Sequence, residues 1–241
     1  MDADPGRRST DPSPMRQFLL IDADDTLWEN NVYFEQAFQD FVDFLDHSTL
    51  SKDEIRAVLD EIELVNIRVH GYGALNFGNN MRQCYVRLAE RHIREADLDR
   101  VMGFARSIAD KPMELIPGVR ETLEYLAGRH DLTLFTKGHA EEQKLKIDRS
   151  GLGVFFGHTA IVPEKDAPSY RKLVAERRLD PSRTWMVGNS PKSDIKPAIQ
   201  AGIGAVYVPH ERTWHLENEP IGDGVGRLLV VRRFADLRNY F

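Results

Sequence analysis

Four short polar signals, each close behind an apolar run, constrain the fold of this chain more than any other feature. The apolar run 18–21 ends in three acidic side chains, Asp22, Asp24 and Asp25. The later signals are Thr136 after the run 132–135, Lys165 after 160–162, and Gly188-Asn189-Ser190 with Asp194 after 185–187. In open α/β sheets, polar groups gather in the crevice at the carboxyl ends of the strands. The order therefore predicts that these segments meet at one edge of a sheet.

The second half of the chain alternates predicted helices with predicted strands. From Pro117 onward, apolar runs predict strands at 132–135, 159–162, 184–187, 205–208 and 228–231. Helical patterns lie between them, near 140–148, 170–178 and 195–201. Such alternation is typical of a parallel sheet with helices on both faces, so we predict an α/β fold.

The segment between the first two signals carries helical patterns instead of strands. Apolar residues repeat there at helical spacing, namely Phe34, Phe38, Phe41 and Leu45. Ser51 and Glu54 form a capping box that predicts the start of another helix. A glycine-rich stretch at 71–78 is expected to be a loop, and helical patterns resume at 81–93 and 98–108. This segment is therefore predicted to be all-helical.

These patterns divide the chain into a tail, a split core and an insert. Residues 1–15 are polar and rich in proline, and we expect a flexible N-terminal tail. The core is predicted to comprise residues 16–29 and 115–241, with the helical insert at 30–114. Because the insert begins just after Asp24, we expect it to lie over the polar signals as a closing cap.

The overall composition excludes several classes of protein. A net charge of −6 argues against a broad nucleic-acid-binding surface. A single cysteine, Cys84, rules out an internal disulfide, and no run approaches the ~18 apolar residues of a membrane span. We therefore expect a cytoplasmic protein with neither nucleic-acid nor membrane partners.

Taken together and in order, the four signals resemble the four motifs of the haloacid dehalogenase superfamily. The resemblance covers nearly the whole chain beyond the tail. It implies a Rossmann-like parallel-sheet core with an inserted all-α cap. It also implies a Mg²⁺-dependent phosphatase that hydrolyses a small phosphorylated metabolite through an aspartyl-phosphate intermediate. The oligomeric state stays open.

The resemblance assigns roles to the side chains of the first three motifs. Asp22 is expected to be the nucleophile, and Asp24 the general acid and then the general base. Thr136 is expected to bind the transferring phosphoryl group, with Lys137 and Gly138 beside it. Lys165 is expected to neutralise the charge of Asp22 and of the phosphoryl oxygens, in preference to surface lysines within predicted helices, Lys144 and Lys172.

The metal site is expected to use oxygen ligands, which suit Mg²⁺. The candidate ligands are Asp22, the backbone carbonyl of Asp24, and Asn189 or Asp194. Many members of the superfamily carry an aspartate where Asn189 stands. The missing carboxylate predicts looser metal binding.

Three further interpretations concern neighbouring residues. Asp25 is expected to be solvated or hydrogen-bonded to nearby backbone, and Thr26 to hold its loop by side-chain to backbone bonds. In the glycine-rich stretch, Tyr72, Asn76 and Phe77 are candidates for substrate selection. A plain interhelical loop is the alternative.

Rival functions remain open within and outside the superfamily. A 2-haloacid dehalogenase would lack the second acid of the first motif, so Asp24 disfavours it. A phosphomutase shares the motifs. A non-enzymatic receiver-like module also combines Asp, Thr and Lys on a parallel sheet, but is usually about half this size and lacks the insert. Sugar phosphates, phosphoglycolate and nucleoside monophosphates are all candidate substrates.

Overall fold

The computed structural model describes residues 15–222 and 226–241. The predicted tail, residues 1–15, lies outside the described residues apart from Met15. Within the described ranges, six strands form one parallel sheet in the order β3-β2-β1-β4-β5-β6. The strands are β1 Phe18–Ile21, β2 Asp131–Lys137, β3 His158–Val162, β4 Thr184–Gly188, β5 Gly204–Tyr207 and β6 Leu228–Val230. The predicted α/β class is confirmed.

The helices lie between these strands and in the insert. They are α1 Asn31–Leu45, α2 Lys52–His70, α3 Ala74–Leu88, α4 Glu95–Arg106, α5 Val119–Ala127, α6 Ala140–Ser150, α7 Ala167–Glu176 and α8 Lys196–Gln200. Short 3₁₀ turns are found at Ser107–Asp110, Gly153–Phe155, Pro181–Arg183, His215–Glu217 and Phe234–Asn239. None of the helices in the described ranges combines the length and apolarity that a membrane crossing requires.

Strand β1 occupies the centre of the sheet and fixes the edge at which the polar signals meet. Its last residue, Ile21, is in register with Leu134 of β2 and Val187 of β4. The next residue, Asp22, donates its backbone N–H to the carbonyl oxygen of Val187 at 2.9 Å. Parallel pairing therefore brings the carboxyl ends of β1, β2 and β4 to the same edge.

The sheet is buried on both faces, as a parallel sheet requires. Along β1, Leu19 and Ile21 join one hydrophobic cluster, whereas Leu20 joins the cluster on the opposite face. All three side chains are fully buried. This two-residue alternation explains why the first apolar run has no polar positions.

The helical insert has a hydrophobic cluster of its own, separate from those of the sheet. Its centre includes Phe38, Phe41, Leu59, Met81 and Val101, contributed by α1 to α4. The hydrogen bonds of the capping box at Ser51 and Glu54 are present at the start of α2, as predicted. A separate core supports our proposal that residues 30–114 are a cap domain on a core of residues 16–29 and 115–241.

The glycine-rich stretch 71–78 is a loop only in its first three residues, so that expectation was wrong in part. Gly71 and Gly73 have positive φ angles of 74° and 123°, and α3 begins at Ala74. Gly78 lies inside α3, where an added Cβ would come within 2.8 Å of Ala105. That glycine permits close packing of α3 against α4 and does not break the helix.

The predicted helix at 195–201 begins earlier than expected. A single π-helical turn, Pro191–Ile195, precedes α8 and is capped by the Ser190 side chain, which accepts a hydrogen bond from the Ser193 backbone. Such turns are often found at functional sites. This turn carries Asp194, and so it places the last acidic side chain of the fourth signal.

Candidate active site

A buried lysine joins two acidic side chains at the carboxyl edge of the sheet. Lys165 Nζ lies 2.5 Å from Asp22 Oδ1 and 2.8 Å from Asp194 Oδ1, and all three side chains are buried. Burial alone would lower the pKa of Lys165, but the two neighbouring carboxylates raise it. Lys165 therefore stays an ammonium ion that partly neutralises both acids.

The fold places Asp194 against the end of β4 by means of a glycine. An added Cβ at Gly188 would collide with the Asp194 carboxylate, so only glycine permits this approach. The backbone N–H of Ser190 donates to Asp194 Oδ2 at 3.0 Å. Burial and the nearby Asp22 raise the pKa of Asp194.

Thr26 connects the first and fourth signals. Its hydroxyl lies 2.9 Å from Asp22 Oδ2 and 3.2 Å from Asn189 Oδ1, so the expected side-chain to backbone bonds are replaced by side-chain contacts. The Asn189 amide donates to Thr213 Oγ1 at 2.9 Å. That bond sets the orientation of the amide and leaves Asn189 Oδ1 beside the Thr26 hydroxyl.

The oxygen atoms that this edge assembles fit a hard cation. Side-chain oxygens of Asp22 and Asn189 share the Thr26 hydroxyl, and those of Asp22 and Asp194 share the Lys165 ammonium. Two buried carboxylates against one ammonium leave excess negative charge, which a divalent cation would offset. The predicted side-chain ligands Asp22, Asn189 and Asp194 are therefore close together, and their chemistry suits Mg²⁺.

A second group of possible metal ligands lies nearby, at Asp25, Glu29 and His210. Their ligand atoms lie within 4.8 Å of one another. Asp25 is buried, and its carboxylate accepts hydrogen bonds from the backbone N–H groups of Asn30 and Asn31 at the start of α1. Burial raises the pKa of Asp25 to about 7. Of the two expectations for Asp25, the backbone-bonded one is correct and the solvated one is wrong.

Asp24 has surroundings of its own, although it lies two residues from Asp22. It accepts hydrogen bonds from Lys146 Nζ at 2.8 and 2.9 Å, from Gln143 Nε2 at 2.8 Å and from Trp28 Nε1 at 2.7 Å. Burial alone would raise the pKa of Asp24, but the Lys146 charge and these bonds hold it below its usual value. The structure thus separates the two acids into two hydrogen-bond networks.

Sequence reasoning missed Lys146 and Gln143. The sequence offers three lysines near the second signal, and the apolar pattern does not say which of them faces the site. Gln143 and Lys146 are three residues apart on α6 and therefore share one face of that helix, which was the available signal. Lys144 points to solvent, as predicted, with a side chain 60% exposed.

The second signal places Thr136 and Lys137 at the end of β2. Thr136 is buried, and its hydroxyl makes one long contact of 3.5 Å with the Lys137 carbonyl. Lys137 Nζ lies 2.7 Å from Glu217 Oε1 and 2.8 Å from Ser193 Oγ. Burial alone would lower the pKa of Lys137, but Glu217 and its other neighbours raise it. Gly138 has a φ of 137°, a conformation that favours glycine.

The three candidates for substrate selection differ in what they contact. The Tyr72 hydroxyl donates to Glu164 Oε2 at 2.6 Å, which joins the insert to the core. The Asn76 amide donates to the His70 carbonyl at 2.5 Å and so caps the end of α2. Phe77 is buried edge-to-face against Phe34, with 5.2 Å between ring centroids.

One cavity connects these groups. It holds about 1070 Å³ of space that no protein atom fills, part of it open to solvent. Its core side includes Asp22, Asp24, Thr136, Lys165 and Asp194. Its insert side includes Phe34, Glu35, Arg56, Glu63, Tyr72, Asn76, Phe77 and Asn80. The predicted catalytic, metal-binding and substrate-binding side chains thus line a single cavity between the insert and the sheet.

Comparisons with known proteins agree with this architecture. A family profile described as haloacid dehalogenase-like hydrolase matches residues 18–202. The crystal structure of a haloacid dehalogenase-like family hydrolase from Xanthomonas campestris is similar, with a TM-score of 0.80 and 28% identity, covering 93% of this chain and 94% of that one. The magnesium-bound structure of the hydrolase YfnB from Bacillus subtilis has a TM-score of 0.66 and 15% identity, covering 93% and 98%.

A curated relative matches a shorter segment. The pyrimidine 5'-nucleotidase YjjG of Escherichia coli is 27% identical over 99 residues. The match covers 39% of this chain and 44% of that protein, so this chain aligns with less than half the length of the relative.

Proposed function

The chain belongs to the haloacid dehalogenase-like hydrolase family, and we propose that within this family it is a Mg²⁺-dependent phosphatase of a small phosphorylated metabolite. The observation that carries the proposal is the separation of Asp22 and Asp24. One acid is paired with Lys165 and the other with Lys146, yet both line the same cavity. That arrangement supplies a nucleophile and a distinct acid–base group two residues apart.

In the first step, an Asp22 carboxylate oxygen attacks the phosphorus of the ester. The bond from phosphorus to the leaving oxygen breaks, and a proton from Asp24 neutralises that oxygen, which leaves as an alcohol. Lys165 offsets the charge that gathers between Asp22 and the phosphoryl oxygens. The products of this step are an Asp22 acyl phosphate and an ionised Asp24.

In the second step, Asp24 removes a proton from water, and the resulting hydroxide attacks the same phosphorus. The bond from phosphorus to the Asp22 oxygen breaks, which releases inorganic phosphate and restores the Asp22 carboxylate. The Lys146 contact favours the ionised Asp24 that this step needs. Protonation of Asp24 for the first step requires the Lys146 contact to loosen.

The metal ion would be held by Asp22, the backbone carbonyl of Asp24, Asn189 and Asp194. When bound, Mg²⁺ supplies positive charge that offsets the repulsion between an anionic nucleophile and an anionic phosphate. The clustered oxygen atoms around Asp22 support this assignment, and Asn189 brings one charge fewer than an aspartate would. We therefore expect Mg²⁺ to bind loosely.

The test is a hydrolysis screen over small phosphate esters, with Mg²⁺ and with EDTA. The panel includes sugar phosphates, phosphoglycolate and nucleoside monophosphates, the last because of the partial similarity to a nucleotidase. We expect Mg²⁺-dependent release of phosphate and roughly tenfold tighter Mg²⁺ binding in Asn189→Asp. Activity that EDTA leaves unchanged would overturn the metal assignment.

The same screen distinguishes the rival reactions. Chloride release from 2-chloropropionate without phosphate release would identify a dehalogenase. Transfer of phosphate between positions of a sugar bisphosphate would identify a mutase. A stable phosphorylated protein without turnover would favour a receiver-like module.

A further inference from the structure

A buried acidic side chain on α2 lines the cavity without a hydrogen-bond partner. Glu63 is 5% exposed, and its Oε2 atom is buried. The Glu63 Oε2 atom has no hydrogen-bond partner among the residues that the structure describes. Burying a carboxyl group without a hydrogen-bond partner costs more free energy than burying an unpaired neutral polar group. The position therefore calls for a donor from a molecule that enters the cavity.

The charged neighbours of Glu63 are engaged elsewhere. Arg56 Nη2 lies 2.6 Å from Glu35 Oε2, with the guanidinium 3.5 Å from the centroid of the Phe38 ring. His215 Nε2 lies 2.8 Å from Asp60 Oδ2. Both side chains lie near enough to act on Glu63 electrostatically, but neither donates a hydrogen bond to it. The chain thus keeps Glu63 available.

A second polar side chain of the insert, Asn80, lines the same cavity as Glu63. Asn66, one helical turn after Glu63 on α2, donates to Asn80 Oδ1 at 2.8 Å, which sets the orientation of the Asn80 amide. Asn80 is buried and lines the same cavity. Its Nδ2 donates to no acceptor among the described residues. The insert side of the cavity therefore offers both an acceptor and a donor.

Aromatic side chains complete this wall of the cavity. The rings of Phe34 and Phe77 line it and pack edge-to-face, with centroids 5.2 Å apart. Such rings favour a flat, neutral group over a strongly hydrated or charged one. The wall as a whole is therefore complementary to a planar ring that carries polar atoms along one edge.

We propose that Glu63 and Asn80 form the subsite for the leaving group of the ester. This leaving group contains a nitrogen heterocycle with an amide-like or imide-like edge. Glu63 accepts from the N–H of that edge, and Asn80 Nδ2 donates to the adjacent carbonyl or ring nitrogen. The inference rests on the proposed phosphatase function, because it concerns the part of the substrate that departs with the leaving oxygen. It narrows the substrate class to phosphate esters of heterocyclic alcohols, such as nucleoside monophosphates.

The experiment compares uridine 5'-monophosphate with its N3-methyl derivative, which lacks the donor. Ribose 5-phosphate, phosphoethanolamine and p-nitrophenyl phosphate complete the panel. We expect Glu63→Met to lower kcat/KM for uridine 5'-monophosphate roughly 10–100-fold, because it leaves the substrate N–H buried without an acceptor. Its rate on p-nitrophenyl phosphate is expected to stay within about twofold, because that ester does not reach the subsite. Glu63→Gln, which keeps an acceptor, should recover part of the loss.

The matched control is Glu61→Met, on the exposed side of α2, where Glu61 forms a surface ion pair with Arg87. It should leave the whole panel unchanged. Thermal unfolding is the second readout, because removal of an unpaired buried carboxyl should leave Glu63→Met at least as stable as the wild type. A destabilised variant that loses all esters equally would show a structural role and overturn the proposal.

Two other outcomes would also overturn it. If the wild-type enzyme hydrolyses the N3-methyl ester and uridine 5'-monophosphate with equal kcat/KM, Glu63 does not accept a hydrogen bond from the N3–H group. A selective loss on phosphoethanolamine in Glu63→Met would assign the subsite to an ammonium group. If no ester is hydrolysed, the proposed phosphatase function is rejected, and the subsite is tested independently by binding. Calorimetric binding of uridine to the wild type and to Glu63→Met then decides the subsite, and equal binding or none rejects it.

Discussion

The two sides of the cavity differ in how their polar groups are satisfied. On the core side, Lys165 joins Asp22 to Asp194, and Lys137 is paired with Glu217, so the chain itself supplies the partners. On the insert side, the buried Glu63 Oε2 atom has no hydrogen-bond partner in the part of the chain that the structure describes. The chain itself therefore pairs these core-side ions, whereas it leaves the Glu63 carboxyl oxygen on the insert side unpaired.

The difference indicates a division of labour between chemistry and recognition. Catalytic groups act best when their geometry is set in advance by surrounding hydrogen bonds. A recognition site gains selectivity when its buried polar atoms are satisfied only by the correct ligand. We therefore expect changes on the core side to affect all esters alike and changes on the insert side to affect some esters only.

The largest effect should follow from Asp22→Asn. An amide cannot act as the anionic nucleophile, so turnover should fall by roughly 10⁴ or more on every ester. Lys165 keeps its contact with Asp194, which should preserve the fold. The checks are phosphate release and thermal unfolding of the purified variant. Retention of more than a trace of the wild-type rate on any good substrate would contradict the assignment of Asp22.

Asp24→Asn should come next, with a loss on the order of 10²–10⁴ in kcat. The loss should shrink for p-nitrophenyl phosphate, because its leaving oxygen needs little protonation. Comparing kcat for that ester with kcat for an alkyl phosphate separates the two cases. An equal loss on both esters would mean that Asp24 does not act as the acid.

A smaller effect is expected on stability, through Glu63. Burial raises its pKa to about 7, with Arg56 lowering it and Asp60 raising it; His215 and Glu35 also face it. The usual value is about 4.3, so between these values the folded state binds more protons than the unfolded state. Stability contributed by the protonated group is therefore present below about pH 4 and lost as the pH rises towards 7.

Glu63→Gln removes this dependence. As the pH rises from about 4 to about 8, the variant should become more stable relative to wild type. The difference in their free energies of unfolding should change by on the order of 1–3 kcal/mol. Urea unfolding at both pH values measures the shift. Glu61→Gln, at an exposed position of the same helix, controls for the loss of one charge. A pH-independent difference would show that Glu63 stays ionised in the folded protein.

Much of the core side could be predicted from sequence, whereas the insert side could not. Asp22, Lys165 and Asp194 each follow an apolar run, and parallel pairing brings the ends of such runs together. Nothing comparable marks Glu63, which stands in a helix among charged neighbours and resembles a solvent-facing residue. Its burial depends on how α2 packs against the rest of the insert, and that packing is a tertiary property.

Lys146 shows a similar limit on the core side. The sequence identifies α6, but two lysines lie on it, and only the rotation of the helix brings Lys146 to Asp24. The glycine-rich stretch shows a different error. The sequence pattern predicts a loop at Gly78, whereas this glycine lies inside α3 and permits tight packing against α4. In both cases the sequence pattern identifies the residue type but does not predict which residue it contacts in the folded protein.

The smallest effect, and the sharpest test of the division on the insert side, concerns Asn76. Asn76 and Phe77 are adjacent in sequence and both line the cavity, but the Asn76 amide donates to the His70 carbonyl at the end of α2, whereas Phe77 presents its ring beside Phe34. Asn76→Ala should therefore lower the free energy of unfolding by about 1 kcal/mol, the typical contribution of one hydrogen bond, and leave the relative kcat/KM values of three esters within about twofold. Phe77→Leu should change those ratios, because it alters the ring surface that the substrate meets. If Asn76→Ala shifted the ratios as strongly as Phe77→Leu, the amide would be a substrate contact and the boundary between recognition and structure on this side would have to move.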